Sequence, residues 1–381
     1  YTTIAGALAA AQGIGAIPSE CVAGAGAGPG PGQPVPGRIA TPAVTAIADG
    51  FRAPRTWRAN LGVTRRFRER FTASLDGSYT LGLSQYAVRD VNLDAAAPEF
   101  TLPLERGRPV FVPASAISPT TGASAIRDSR VDPRFAQVFE VSSRFRSRNV
   151  QATAALNGFT GRGVAFNLSY TVARNRDQSS FGFGGPAGCF SQTPTAANPN
   201  VLGWAAADQD VRHNLIGTVT YPLHPSFEVT AIGRATSGNP YTPVVQNDVN
   251  GDGAGRNDAA FVFDPAQLAG DPALQAGMQR LLASAPAGAR ECLTSQLGRV
   301  AGRNSCRGPW IPGVDLQLNY KPDRLGLKRR LTVSALLINP LAGLDQALHG
   351  DDLRGWGQFV RPDPTLLAVR GFDAANRRYV Y

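Results

Sequence analysis

Residues 71–84 read FTASLDGSYTLGLS. Phe71, Ala73, Leu75, Tyr79, Leu81 and Leu83 alternate with Thr72, Ser74, Asp76, Ser78, Thr80 and Ser84. Successive side chains of a strand point to opposite faces, so this period of two predicts a strand with one apolar and one polar side. The preceding WRANLGVTRRF repeats the pattern: Trp57, Ala59, Leu61, Val63 and Phe67 alternate with Arg58, Asn60, Thr64 and Arg66. The short RERF between them predicts a hairpin turn.

The pattern recurs along the chain. Val150, Ala152, Ala154 and Leu156 oppose Gln151, Thr153 and Asn157. Val164, Phe166, Leu168, Tyr170 and Val172 oppose Asn167, Ser169 and Thr171. Leu215, Val219 and Tyr221, then Trp310, Val314, Leu316, Leu318 and Tyr320, then Leu331, Val333, Ala335 and Leu337 continue the series. RRYVY at 377–381 predicts a last strand, and weaker runs lie at 85–93, 135–146, 226–236 and 356–369. About ten strands result, most near the 9–11 residues that cross a bilayer at a tilt.

Connections alternate in length. RERF, RSRN, GFTGRG, PLHPS and KPDRLGLKR predict turns, whereas 94–134, 177–210 and 237–308 are long. Short turns at one end and long loops at the other are the asymmetry of an antiparallel transmembrane β-barrel with long extracellular loops. Trp57, Phe67, Phe71, Tyr170, Tyr221, Phe227, Trp310 and Tyr320 suit its interfacial girdles. In the longest loop Asp271-Pro272 supplies a cap and a first-turn proline, and Leu274, Met278, Leu281 and Leu282 form one stripe, predicting a short helix. Two regions are expected: an irregular Gly/Pro/Ala-rich segment at 1–50, and the barrel at 51–381.

Composition agrees. Of 381 residues 43% are hydrophobic and mean hydropathy is −0.14, with 42 Gly and 29 Pro but only 17% charged residues. No apolar run reaches the ~18 residues of a transmembrane helix. The net charge is +10, but the arginines are scattered and no zinc finger, basic helix or RNA motif accompanies them, which argues against nucleic acid. Outer-membrane lipid and lipopolysaccharide are the expected neighbours, since arginine pairs with phosphate.

Several stretches resemble the Oar-like TonB-dependent outer-membrane receptors. They are FRAPRTWRANLGVTRRF at 51–67 with VRDVNLD at 88–94, SGNPYTPVVQNDVNGDGAGRNDAAFV at 237–262, CLTSQLGRVAGRNSCRGPW at 292–310, and the segment from Asn339 to Tyr381. The resemblance covers about residues 50–381 in consistent order. It implies the C-terminal portion of a larger plugged barrel of about 22 strands. It also implies uptake of an extracellular ligand, powered by the TonB system through a plug that this chain does not include. An adhesion or structural barrel without transport is the alternative.

Within the longest loop, DVNGDGAGRND at 248–258 places Asp248, Asn250 and Asp252 at alternate positions, with Gly253 next and Asp258 closing the run. Oxygen ligands at positions 1, 3 and 5 with glycine at 6 fit a calcium loop, although the closing Glu is replaced by Ala259. Two readings stand: a structural Ca2+ held by Asp248, Asn250, Asp252 and Asp258, or a turn whose side chains bond their own backbone. No cofactor is otherwise required. Four cysteines without CxxC predict disulfides in an oxidising compartment: Cys292 with Cys306, which leaves Cys21 with Cys189. No GxSxG, HExxH or P-loop occurs, so the protein is expected not to be an enzyme.

Overall fold

The computed structural model describes residues 41–180, 185–322, 330–358 and 362–381. Eight strands follow one another: β1 (Arg55–Phe67), β2 (Phe71–Asp90), β3 (Val138–Phe159), β4 (Ala165–Asp177), β5 (His213–His224), β6 (Phe227–Thr236), β7 (Ile311–Tyr320) and β8 (Val333–Leu337). They hydrogen-bond in chain order into one antiparallel meander. Two short segments join the same sheet. Val44–Ile47 runs parallel to β3, and Ala205–Ala206 pairs with β4.

Cross-strand register sorts the side chains by polarity. One row runs Val63, Leu75, Ala154, Tyr170, Leu215, Ala235 and Pro312 across seven strands. The adjacent row, on the opposite face, runs Gly62, Asp76, Thr153, Thr171, Asn214 and Thr236. Hydroxyls pair across the polar face, Thr153 with Thr171 and Thr220 with Thr230, each at 2.9 Å. Arg234 donates to Asp315 at 2.9 Å on the same side. The apolar face has no protein against it: Trp57 is 71% and Leu61 77% exposed. In a water-soluble protein that would be an aggregation surface; against hydrocarbon it is the expected solvent contact.

The apolar band has a definable height. Between Trp57 and Phe67 lie ten residue steps, ~33 Å along the strand at ~3.3 Å per step. At the ~40° tilt of such barrels this is ~25 Å, the height of a lipid-facing band. Phe67 stacks on Phe71, and Phe71 lies 6.0 Å from Phe166, forming the aromatic edge at the short-turn end. The turn itself puts Arg68 and Glu69 at φ 49° and 53°, and the Arg66 guanidinium holds it by donating to the Glu69 carbonyl at 2.7 Å.

Four expectations need correction. RSRN is not a turn, because β3 runs unbroken through it: Arg144, Arg146 and Arg148 alternate with Phe145, Ser147 and Asn149, which continues the period of two. The runs at 85–93 and 135–146 are accordingly the far ends of β2 and β3 rather than separate strands. RRYVY and the run at 356–369 are not barrel strands either. Arg378–Val380 forms a hairpin with Gly371–Asp373, and Thr365–Ala368 lies parallel to Val244–Gln246. Their apolar residues Leu367, Phe372 and Tyr379 are buried in the loops rather than facing lipid. The irregular segment expected at 1–50 ends in the Val44–Ile47 strand; residues 1–40 lie outside the described residues.

Candidate functional site: the cap of long loops

All the buried apolar volume of the described residues lies in or beside the long connections. Segments from 94–134, 237–308 and 362–381 share one core built on Phe100, Leu102, Val110, Val112, Val249 and Val262. Phe100–Leu102 and Arg108–Val110 form a hairpin whose turn uses Arg106 and Gly107 at φ 53° and 79°. Helix α1 (Gly185–Gln192) lies against the far ends of β2 and β3, where Phe190 meets Phe139 at 5.5 Å. Helix α2 (Pro272–Ser284) starts as its sequence predicts: the Asp271 carboxylate accepts the Leu274 amide at 3.1 Å, Met278 is buried, and Leu274, Leu281 and Leu282 pack on the core. Helix α3 (Ala287–Thr294) follows and carries Cys292.

The structure joins Cys292 to Cys306 in a disulfide, with Cα atoms 5.5 Å apart. Gln296 donates to the Cys292 carbonyl at 3.1 Å and accepts the Gly302 amide at 2.9 Å, bracing the enclosed loop. Cys189 is buried in α1. Its expected partner Cys21 lies outside the described residues.

DVNGDGAGRND forms the floor of the cap. Asp248 accepts the amides of Gly251 at 2.6 Å and Gly253 at 2.7 Å. Asn250 accepts the Asp252 amide at 2.8 Å. Asp252 accepts the Ala254 amide at 2.8 Å through one oxygen and the Asn257 side-chain amide at 2.7 Å through the other. Asp258 accepts the Val249 amide at 2.9 Å, closing the loop on itself. Gly251 and Gly253 adopt φ 75° and 83°, and a Cβ on Gly253 would stand 2.6 Å from both Ile126 and Arg130. The four residues are thus brought together as a knot of side chain-to-backbone bonds. Every carboxylate oxygen of Asp248, Asp252 and Asp258 already accepts an N–H. Among the described residues, no group of three or more His, Cys, Asp or Glu is arranged to hold a metal ion.

Sequence reasoning missed the arginines that neutralise this floor. Arg108, 1% exposed, lies 2.7 Å from Glu105 and 3.5 Å from Asp258. Arg130 pairs with Asp90 at the far end of β2 and donates to the Asp252 carbonyl. Asp90 also accepts the amides of Asn92 and Val138, each at 3.0 Å, so one carboxylate ties two wall strands to the floor. Burial raises the Asp248 and Asp252 pKa values, and the charge of Asp248 adds to the effect at Asp252, which is pushed up to about 7. Burial, then Asp248 and Asp252, raise Asp258 well above its usual range, against the pull of Arg108. A second node joins other loops: Asp177 accepts Arg303 at 2.6 Å, and Asp210 binds both Arg307 and Arg212. Isolated charges in Gly/Pro-rich loops carry no periodicity, so only their shared place in the fold reveals them.

His213 stacks between Tyr170 and Trp310, with centroids at 6.1 and 5.7 Å. His349 bonds Asp345 at 2.9 Å within the helix Pro340–His349.

An apolar lipid-facing wall, a polar opposite face and a loop cap at one end define the architecture that the comparisons meet. A family model described as outer membrane beta barrel domain matches residues 8–321. The chain belongs to that family. As an outer membrane β-barrel domain it resides in the outer membrane, with its apolar wall in lipid. Its structure is similar to that of the outer membrane transporter YddB from Escherichia coli, with TM-score 0.43, 9% identity, 80% of this chain covered and 31% of the transporter. The chain thus spans about a third of that transporter's length. No curated protein matches the sequence.

Proposed function

We propose that this outer membrane β-barrel is the receptor portion of a TonB-dependent importer, a non-enzymatic protein whose cap captures an extracellular ligand. The observation that supports this reading is the cap itself. Two long connections, 94–134 and 237–308, fold with the 362–381 segment into one buried core at the long-loop end, and the 177–210 connection packs beside it on the far ends of β2 and β3, above a sheet face lined by Thr, Asn, Gln and Arg. That pairing gives a shaped outer surface and a polar route beneath it. Resemblance of five stretches of sequence to Oar-like receptors supports the same reading. In lipid the outer edges of β1 and β8 need hydrogen-bond partners, and further strands of the same protein are proposed to supply them.

The cap needs no metal on this reading. The floor's carboxylates are satisfied by amides and by Arg108, so protease protection of residues 237–308 is expected to be the same with added calcium and with chelator. Calcium-dependent protection would restore the metal-loop reading.

Transport and adhesion separate at the inner-membrane coupling. The full-length protein in detergent should retain the purified carboxy-terminal domain of TonB on an affinity column. A protein that shows no such binding, yet holds cells to a surface, would be an adhesion barrel instead.

A further inference from the structure

We propose that the lipid-facing side of β3 and β4, just above the apolar band, is a binding site for a phosphate-bearing glycolipid of the outer leaflet, that is, lipopolysaccharide. The site consists of Arg144, Arg146 and Arg148 on β3 and Arg174 and Arg176 on β4.

Parity fixes where these side chains project. Arg144, Arg146 and Arg148 occupy the same face as Val150, Ala152 and Ala154, and each is exposed. Arg174 and Arg176 share the face of Leu168, Tyr170 and Val172. The guanidinium groups therefore continue the lipid-facing side beyond its last aliphatic residues, Val150 and Val172. On the opposite face at this height stand the neutral Ser147, Asn149, Ala173 and Asn175.

Register then brings the charges together. Arg148 stands directly opposite Arg176, and Arg174 opposite Val150. Directly opposed residues have Cβ atoms ~5 Å apart, and like charges so placed destabilise a sheet. Nearby carboxylates do not relieve this, because each is engaged elsewhere. Glu140 is held by Arg89, Asp177 by Arg303, and Asp210 by Arg307 and Arg212. Among the described residues none of the five arginines forms an ion pair with a carboxylate. Arg176 donates to the Trp204 carbonyl and Arg144 to the Ser142 hydroxyl, each at 3.1 Å, which orients them without neutralising them.

Height selects the counter-charge. Tyr170, His213 and Trp310 form a stacked row across the outer face of neighbouring strands, and the Tyr170 hydroxyl meets His213 Nδ1 at 2.8 Å. Such aromatic rows lie at the level where hydrocarbon gives way to headgroups. Arg174 and Arg176 stand four and six residues beyond Tyr170, ~13 and ~20 Å along the strand, or ~10 and ~15 Å along the membrane normal at a ~40° tilt. The anion at that depth on the outside of a barrel is a lipid headgroup phosphate, which a guanidinium fork binds in bidentate fashion. Two or more phosphates on one sugar headgroup match a patch two strands wide.

The test uses the full-length protein extracted into detergent and freed of lipopolysaccharide. Binding is titrated with intact lipopolysaccharide, with the same material enzymatically dephosphorylated, and with inorganic phosphate as competitor. Intact lipopolysaccharide should bind at least about tenfold more tightly than the dephosphorylated form, and R148Q/R174Q should lose about tenfold, the value of one charge-assisted contact. R58Q, which removes the same kind of charge from the opposite face, should bind as the unsubstituted protein does. Heat-modifiable migration in lipopolysaccharide-free detergent should be unchanged or shifted to higher temperature in R148Q/R174Q, because a repulsion has been removed. If that variant does not fold, R148K/R174K keeps the charge, loses the fork and should show a smaller loss. Equal binding by variant and unsubstituted protein, equal binding of dephosphorylated material, or complete displacement by inorganic phosphate would each overturn the proposal.

Discussion

The wall and the cap of this protein are stabilised in opposite ways. In the wall, β1 is exposed along its whole length, and its largest apolar side chains face outward. In the cap, Leu102, Val110, Val112 and Val262 are at or below 1% exposure and pack against one another. The difference follows from solvent. Lipid accepts the wall's apolar face, so the ladder of strand hydrogen bonds, which lipid cannot replace, holds the wall together. Water surrounds the cap, so the cap relies on apolar burial, a disulfide and buried ion pairs. Asp90 and Arg130 join the two regimes at the top of β2.

Removing that junction should give the largest effect. Asp90→Ala leaves Arg130 buried without its carboxylate, and loss of one partner of a buried pair costs about 3–5 kcal/mol. The cap should become protease-sensitive while heat-modifiable migration, a property of the wall, persists; loss of both would mean that wall and cap unfold as one unit.

Core truncation sharpens the contrast. Leu102→Ala should destabilise the cap by about 2–5 kcal/mol, since both transfer and cavity terms apply. Leu61→Ala in the wall should cost only the transfer term, about 1–2 kcal/mol, because lipid closes the gap. Equal losses in denaturant titrations in detergent would contradict the assignment of that face to lipid.

Opening the disulfide is expected to act on the cap alone. The double substitution C292S/C306S should lower cap stability by about 3 kcal/mol in the chain-entropy model. Limited proteolysis should then cut first within 292–308, with the wall fragment intact.

The smallest effect is that of pH. Asp248, Asp252 and Asp258 have folded-state pKa values above the ordinary 3.8, Asp252 at about 7. A raised carboxylate favours the folded state while protonated. Its contribution is complete below 3.8 and is lost as pH climbs toward 7. Cap unfolding midpoints should therefore be higher at pH 5 than at pH 8. In Asp252→Asn the difference between the two should shrink.

How much of this the sequence discloses depends on which region is read. The wall is legible because each residue's face follows from its parity: the alternation in FTASLDGSYTLGLS reappears as a register row from Val63 to Pro312. It misleads only where a basic stretch, RSRN, imitates a turn while keeping the alternation. Helix α2 is legible through Asp271-Pro272, a local signal. RRYVY and the run near 365 have strand composition, but which sheet they join depends on distant partners that no local pattern specifies. The cap's ionic floor is least legible: Asp248 to Asp258 stand out as a spacing, whereas Arg108, Arg130 and Asp90 come to them from 118 or more residues away.

The central claim is that the cap faces outside and the short turns face inward, with the apolar wall between them in the outer membrane. Val201, 73% exposed in the cap, and Arg162, in the turn between β3 and β4, report on the two sides. Each is replaced by cysteine in the full-length protein, and intact cells are treated with a membrane-impermeant maleimide alongside cells carrying the unsubstituted protein. Val201→Cys should be labelled at once, and Arg162→Cys only after the outer membrane is permeabilised. Labelling of Arg162→Cys in intact cells with Val201→Cys protected would invert the topology and contradict the account.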